Sequence, residues 1–372
     1  MAKKRTSHEY ARFFTRRVSR NRAAQAIALV TFSLALVTAS LEIGLRLAAP
    51  QNLNGYWLLS GPDGLTINTP NRTARHQMGE VVVRYRFNRL GQRAEDSDLK
   101  ACRRALVLGD SVTFGWLLKR EQSFVGLLQA RLDDRGDRCP WKLLNASVGG
   151  WGTVDQLLYL ERFGPRIRPS AVIVFISYDD IGRSRRRGLY RFDKPTQSLV
   201  IHPTTPNSTG FRVLARRLPG YQWLLENSHL FQLIRNAAVK AWGIGRAPVD
   251  RPGTNENSRT GSENPRYGSE IFDQSSALAL ALFSRMADWC RRNQSDLIVL
   301  TNGWPTIRYG WIEDVMAEAG IAFTDLRPLV SPKVNADPDS YKIRGGFHPN
   351  AKAAALIAEA AWPFINQELK PD

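Results

Sequence analysis

Residues suited to acyl-group chemistry stand in three short stretches, far apart in the chain. The first is Gly109-Asp110-Ser111-Val112-Thr113-Phe114-Gly115, directly after the apolar run Ala105-Leu106-Val107-Leu108. The run reads as a buried strand, and the turn after it as the start of a helix. Ser111 then stands at the carboxyl edge of a sheet, where open α/β sheets bind ligands. The free N–H groups of a helix start there can face a developing negative charge. The second stretch is Asn145-Ala146-Ser147-Val148-Gly149-Gly150-Trp151-Gly152-Thr153, a strand end followed by a glycine turn that lets backbone approach a ligand. The third is Gly345-Gly346-Phe347-His348-Pro349-Asn350.

A serine hydroxyl is a weak nucleophile at neutral pH and needs a base within hydrogen-bond reach, for which imidazole has a suitable pKa. The chain has five histidines. His8 lies in a basic leader, and His76 precedes the alternating strand and helix pattern. His202 and His229 fall in an insertion, where a structural role is the simpler reading. His348 opens the last helix and is the candidate base for Ser111.

The first stretch resembles the opening motif of the GDSL/SGNH hydrolase family, in the form Gly-Asp-Ser-x-Thr-x-Gly. Further blocks follow in family-like order over residues 86–364. Phe87-Asn88-Arg89-Leu90-Gly91-Gln92-Arg93 is similar to a lead-in of membrane-anchored bacterial members. The resemblance implies a serine-dependent O-acyl esterase or acyltransferase acting on an extracytoplasmic polysaccharide or glycoconjugate. It implies no metal and no organic cofactor. Ser111 and His348 would be catalytic, and the N–H groups of Ser111 and Gly150, with Gly149 as the alternative, would hold the oxyanion.

Two positions depart from the family pattern. Its third block is Gly-x-Asn-Asp, whereas this chain has Ser177-Tyr178-Asp179-Asp180, so Asp179 stands where an amide donor belongs. An ionised carboxylate only accepts hydrogen bonds. Asp179 is therefore expected to pair with an arginine of the insertion, or with His348 as a relocated acid. Asn302, at the end of the fourth strand, is the candidate substitute donor. The family's acid lies three residues before the histidine, and that position is Gly345. A backbone carbonyl, Asp337 or Asp339 is then left to orient His348. A second class of function stays open, a degenerate member that binds glycan or a partner without turnover. Trp116, Trp151, Trp304 and Phe347 each lie beside a strand end or a motif and either stack on sugar rings or pack in the core.

These residues must be positioned by alternating strands and helices. Strands are predicted over 105–108, 142–147, 171–177, 297–301 and 321–326, and helices over 123–133, 276–292, 311–319 and 351–361. The pattern indicates an α/β domain. With the family resemblance it implies a three-layer α/β/α flavodoxin-like fold with a mainly parallel five-stranded sheet. Residues 183–273 form an insertion. It opens with Arg183, Arg185, Arg186 and Arg187, read as either a solvated face or a substrate-contacting cap. A hairpin is expected over 188–203, a helical segment over 221–242, and a mobile loop over 246–270.

The 372-residue chain carries a net charge of +18. Residues 1–22 hold eight of the basic side chains against Glu9 alone, and read as a cytoplasmic tail. No charge occurs between Ala23 and Leu41. That is long enough to cross a bilayer core of about 30 Å, so residues 23–45 are read as a transmembrane anchor after the basic tail. A signal peptide cleaved after Val37-Thr38-Ala39 is the rival reading. The anchor implies a single pass through a bacterial inner membrane, with the catalytic domain, residues 101–372, in the periplasm. Residues 46–100 read as a linker with one lead-in strand over 81–87. Partners implied are the membrane, an acylated glycan or similar ester, and polysaccharide-biosynthesis proteins. No nucleic-acid module is visible. Of three cysteines, Cys102 and Cys139 each precede a strand, and a disulfide between them is expected in an oxidising compartment. Cys290 reads as a buried helix residue.

Overall fold

A computed structural model of the chain describes residues 7–61, 63–177, 179–187, 189–193, 198–201, 218–241, 265–304 and 311–371. Helix α1 (Ser7–Ala48) carries the apolar run. Its segment Ala24–Ala48 is long and apolar enough to cross a membrane, and its most apolar stretch is not buried by the rest of the protein.

Residues 46–100 hold more structure than a linker with one strand. Strands β1 (Leu53–Asn54), β4 (Thr73–Met78) and β5 (Val81–Arg86) form an antiparallel sheet, and β2 (Leu58–Ser60) pairs with β3 (Thr66–Asn68). These strands are short and only partly buried, so no alternation long enough to read marks most of them.

The body of the protein is one parallel sheet. Its strands are β6 (Arg103–Leu108), β7 (Trp141–Asn145), β8 (Ala171–Ile176), β11 (Asp296–Thr301) and β12 (Phe323–Thr324), in the order β12-β11-β8-β6-β7. Between and after them come α2 (Ser111–Phe114), α3 (Phe124–Asp133), α4 (Thr153–Ile167), α5 (Asp180–Arg187), α6 (Tyr221–Asn227), α7 (His229–Ala241), α8 (Pro265–Arg292), α9 (Trp311–Glu318), α10 (Arg327–Ala336), α11 (Pro338–Tyr341) and α12 (Ala351–Glu368). The pleat divides each strand between two cores. Leu106 and Leu108 pack with Leu157 and Leu160 of α4 and Phe283 and Met286 of α8. Ala105 and Val107 pack with Leu128 and Leu132 of α3, Val330 of α10 and Ile357 of α12. Helices on both faces require strands that are apolar on both faces, hence the unbroken apolar runs. This is the three-layer, flavodoxin-like arrangement. The strand order reverses at β6, and that switch point is where such sheets build sites.

Several boundaries differ from the sequence expectation. The fifth strand is only two residues, and the last helix continues to Glu368. The N-cap of α4 is Gly152, whose N–H donates to the Asp155 carboxylate at 3.0 Å. Helix α8 starts at Pro265, inside the stretch read as a loop; residues 246–264 of that stretch, and His202, lie outside the described residues. In the insertion, β9 (Tyr190–Asp193) and β10 (Ser198–Ile201) pair antiparallel, as the hairpin expectation requires. Cys102 and Cys139 are disulfide-bonded with Cα atoms 5.9 Å apart, since they precede neighbouring parallel strands at the same sheet end. Cys290 is buried in α8.

Candidate active site

Strand β6 ends at Leu108, and the chain turns at once into the one-turn helix α2. A Cβ on Gly109 would lie 2.2 Å from Thr113 Oγ1, so only glycine permits that turn. Asp110 caps α2, its Oδ1 accepting from the Val112 N–H at 2.9 Å. Ser111 is the first helical residue. The other end of α2 is held by Arg93. Its buried guanidinium donates to the carbonyls of Phe114, Gly115 and Leu118 and lies 5.0 and 4.9 Å from the rings of Tyr85 and Phe114. Burial pulls the Arg93 pKa down to about 10.

His348 reaches the same rim. Its Nε2 is 2.9 Å from Ser111 Oγ, across 237 positions of sequence. His348 precedes α12 rather than opening it. The cap is Asn350, which accepts from the Ala353 N–H and donates to the carbonyls of Ser340 and Lys342. Trp304 Nε1 donates to the Phe347 carbonyl at 3.0 Å, and the Ile343 N–H donates to the His348 carbonyl at 2.9 Å. The rings of Trp116 and Phe347, both half-buried, each have centroids 4.2 Å from the imidazole.

Burial lowers the His348 pKa to about 4; the nearby Arg183 charge acts the same way and Asp110 opposes it. The imidazole is therefore neutral at pH 7 and free to accept a proton. His348 Nδ1 is buried and has no hydrogen-bond partner among the described residues. None of the three carboxylates expected to orient it does so. Asp337 and Asp339 are exposed on α11, where Asp337 caps the helix against the Ser340 N–H. Asp179 pairs instead with Arg186, and its Oδ2 lies 3.6 Å from Arg183 Nε.

Within the arginine run, Arg183 and Arg187 are held by buried acids. Arg183 binds three blocks at once: its Nη1 is 3.1 Å from Asp110 Oδ2, 3.1 Å from Asp180 Oδ1 and 2.8 Å from the Trp151 carbonyl. Asp180 Oδ2 also accepts from the Ser177 N–H and from Gln156. The Asp110 and Asp180 side chains are 1% and 0% exposed. Burial and the Asp110 charge push the Asp180 carboxyl well above the usual range, and the acids together raise Arg183. Arg187 pairs with buried Asp155. The described parts of the insertion pack elsewhere. The hairpin lies against α8, and α6 against β1 and β4.

The glycine turn faces the nucleophile. It is closed by the Trp151 N–H on the Val148 carbonyl at 3.2 Å, with Gly150 at φ +83°. A Cβ on Gly149 would sit 3.6 Å from Ser111 Cβ, so Gly149 abuts the serine. The N–H groups of Ser111, Gly149 and Gly150 donate to nothing among the described residues. Asn302 does not serve as a replacement donor. Its Nδ2 donates to Ser177 Oγ and its Oδ1 accepts from the Trp304 N–H. Trp151 and Trp304 are also removed from any substrate-stacking role, being 0% and 2% exposed. Trp151 Nε1 donates to the Thr66 carbonyl, a partner that buries the indole from the N-terminal side.

His76 is the residue that sequence reading set aside and the fold brings in. Strand β4 places its ring 5.1 Å from Trp116, with Nδ1 3.0 Å from the Tyr85 hydroxyl. That hydroxyl accepts from the Leu117 N–H at 2.8 Å, which leaves its own proton for His76. Burial, and then the His348 charge, lower the His76 pKa to about 4. No chain-order signal joins a strand of the N-terminal sheet to the last loop.

Both histidines are buried neutral, whereas the unfolded chain protonates them near pH 6.5. Between about pH 6.5 and 4 the unfolded state binds more protons, so stability falls as pH falls. We expect urea unfolding free energy to drop by about 2–3 kcal/mol per histidine between pH 7 and 4.5. A profile that His76→Gln does not flatten would contradict the buried neutral pair, since Asp180 contributes the opposite slope in both proteins. His229, by contrast, accepts the Gln51 N–H and plays the structural part expected of it.

A family model described as GDSL-like Lipase/Acylhydrolase family matches residues 107–356. Similar solved structures include TesA, with 16% identity, TM-score 0.37, and coverage of 71% of this chain and 99% of that one. The psychrotrophic esterase EstA from Pseudoalteromonas sp. shows 13% identity and TM-score 0.39, covering 72% and 98%. The acetyl xylan esterase AlAXEase shows 13% identity and TM-score 0.39, covering 70% and 99%. No curated protein matches.

Proposed function

The chain belongs to the GDSL-like lipase/acylhydrolase family, and on that footing we propose that it is a serine-dependent O-acyl esterase or acyltransferase working on an acylated extracytoplasmic glycan. The observation that carries the proposal is the 2.9 Å contact between Ser111 Oγ and His348 Nε2. Ser111 Oγ attacks the ester carbonyl while neutral His348 takes its proton. The N–H groups of Ser111 and of Gly149 or Gly150 bind the oxyanion, each such donor contributing about 3 kcal/mol in the transition state. The alkoxide leaves with the proton from His348. Water, or a second sugar hydroxyl in the transferase case, then attacks the acyl-enzyme with His348 again as base.

Three features support this assignment. Asp179 is drawn to Arg186, so its charge need not oppose an oxyanion. The loop bonds and the Trp116 and Phe347 rings fix the imidazole where a carboxylate would otherwise do so. The Phe347 ring also offers a face for a sugar, beside a cavity of about 160 Å³ whose lining includes Phe347, Trp304 and Lys342. The disulfide suits an oxidising compartment, and the basic tail before α1 favours a cytoplasmic N-terminus. We assign a single pass through the inner membrane, a periplasmic domain, and polysaccharide-assembly proteins as neighbours. One observation favours binding without turnover, namely that His348 Nδ1 has no acceptor among the described residues. Detergent-solubilised full-length protein, treated with p-nitrophenyl acetate and a fluorophosphonate, separates the two readings. Turnover with an adduct mapped to Ser111 is the expected result; absence of both would establish the binding role.

A further inference from the structure

Helices α6 and α7 are fastened to the point where α1 stops being apolar. Glu42 is the first charged residue after the charge-free run. Its carboxylate accepts from Ser228 Oγ at 2.9 Å and from the N–H groups of His229 and Leu230 at 3.0 Å. Arg46 bonds both Glu42 and the Asn227 carbonyl, and the Gln51 N–H donates to His229 Nδ1. The first turn of α7 is thereby set one residue beyond the apolar run. In a chain anchored by α1, that is the height where hydrocarbon gives way to headgroups.

From there α7 leaves α1 instead of running back along it. Val37 and Leu41 of α1 stay 57% and 51% exposed. Leu230, Leu233, Ile234, Ala237, Ala238 and Ala241 recur at helical spacing and form one apolar stripe. Ile234 on that stripe is 58% exposed, while Arg235 and Asn236 lie off it. Nearby Leu218 and Trp223 are 58% and 62% exposed. A soluble domain rarely leaves apolar side chains clustered in the open without a partner for them.

We propose that α7 lies in the outer surface of the membrane that α1 spans, its stripe among the acyl chains and Arg235 and Lys240 among the headgroups. The helix is then a second, in-plane anchor of the kind amphipathic helices form. The proposal rests on α1 being membrane-spanning and is independent of the catalytic assignment. It fixes the domain's tilt, because α6 ties α7 to the N-terminal sheet. Gln222 Oε1 accepts from the Tyr56 N–H and Glu226 Oε1 from the Arg75 N–H. The active-site rim then keeps one orientation to the bilayer.

Site-directed spin labelling tests this on the full chain in vesicles of phosphatidylethanolamine and phosphatidylglycerol at about 3:1. Labels are placed singly through Val30→Cys, Ile234→Cys and Asn236→Cys, because Cys290 is buried and the other two cysteines are bonded. The expected ratio of oxygen to water-soluble nickel accessibility is several-fold higher at 30 and 234 than at 236. Lipid exposure at 30 with equal nickel access at 234 and 236 would overturn the in-plane anchor while leaving α1 in the membrane. Shielding of 234 from both reagents would mean that protein covers the stripe and would overturn it equally. Nickel access at 30 would remove the premise.

Discussion

Ser111→Ala is expected to leave a folded protein that turns over p-nitrophenyl acetate roughly 10⁴- to 10⁶-fold more slowly. The fold should survive because the hydroxyl has no structural duty. The cap of α2 is Asp110, and the far end of the helix is held by Arg93. Alanine is also the best helix former at such a position. The only side-chain partner of Ser111 Oγ in the described structure is His348 Nε2. Removing either partner of that contact should therefore cost about the same, and removing both little more, since the two act as a unit. Unchanged melting with lost turnover is the expected pair of results. Turnover at the wild-type rate would place the nucleophile elsewhere and end the acyl-enzyme account.

The parts legible in the sequence are those where chemistry or burial restricts residue type. A strand covered on both faces has to be apolar throughout, so β6, β8 and β11 stand out. A turn that folds back on itself needs glycine, so the stretches around 109 and 149 stand out too. A serine nucleophile needs a base, and only His348 follows the last strand. What stayed hidden depends on three-dimensional neighbours of ordinary residue types. Trp151 and Trp304 sit beside motifs just as Trp116 does, yet two are core and one lines the site. Asp179 occupies a motif position, but the arginines of the next helix turn take it up. Arg93 looks like one polar residue among many until its three carbonyl partners are known. His76 belongs to a sheet whose short strands carry almost no pattern.

Arg183 links more of the site than any residue the motifs name, so Arg183→Met should do the greatest structural harm. Methionine keeps the length of the stem and removes the charge. Asp110 and Asp180 would then be buried together without their shared cation, a situation that costs about 3–5 kcal/mol. For a domain of this size the melting temperature should fall by roughly 10 °C. Turnover should fall with it, because Asp110 is the cap that aims Ser111 and Arg183 holds the Trp151 carbonyl at the end of the glycine turn. Arg186→Met is the control. Its partner Asp179 is 28% exposed, and such surface pairs contribute at most about 1 kcal/mol. Acid should narrow the gap between Arg183→Met and wild type. Asp180 already stands above the usual carboxylate range, and losing the guanidinium that holds it down raises it further, so the folded variant takes up its proton at a higher pH than the wild type does. The loss through His76 and His348 is common to both proteins and does not change the gap. Melting curves at pH 7.5 and 5 read both slopes. A variant as stable as Arg186→Met at pH 7.5, or a gap that widens in acid, would mean that the two acids do not depend on Arg183.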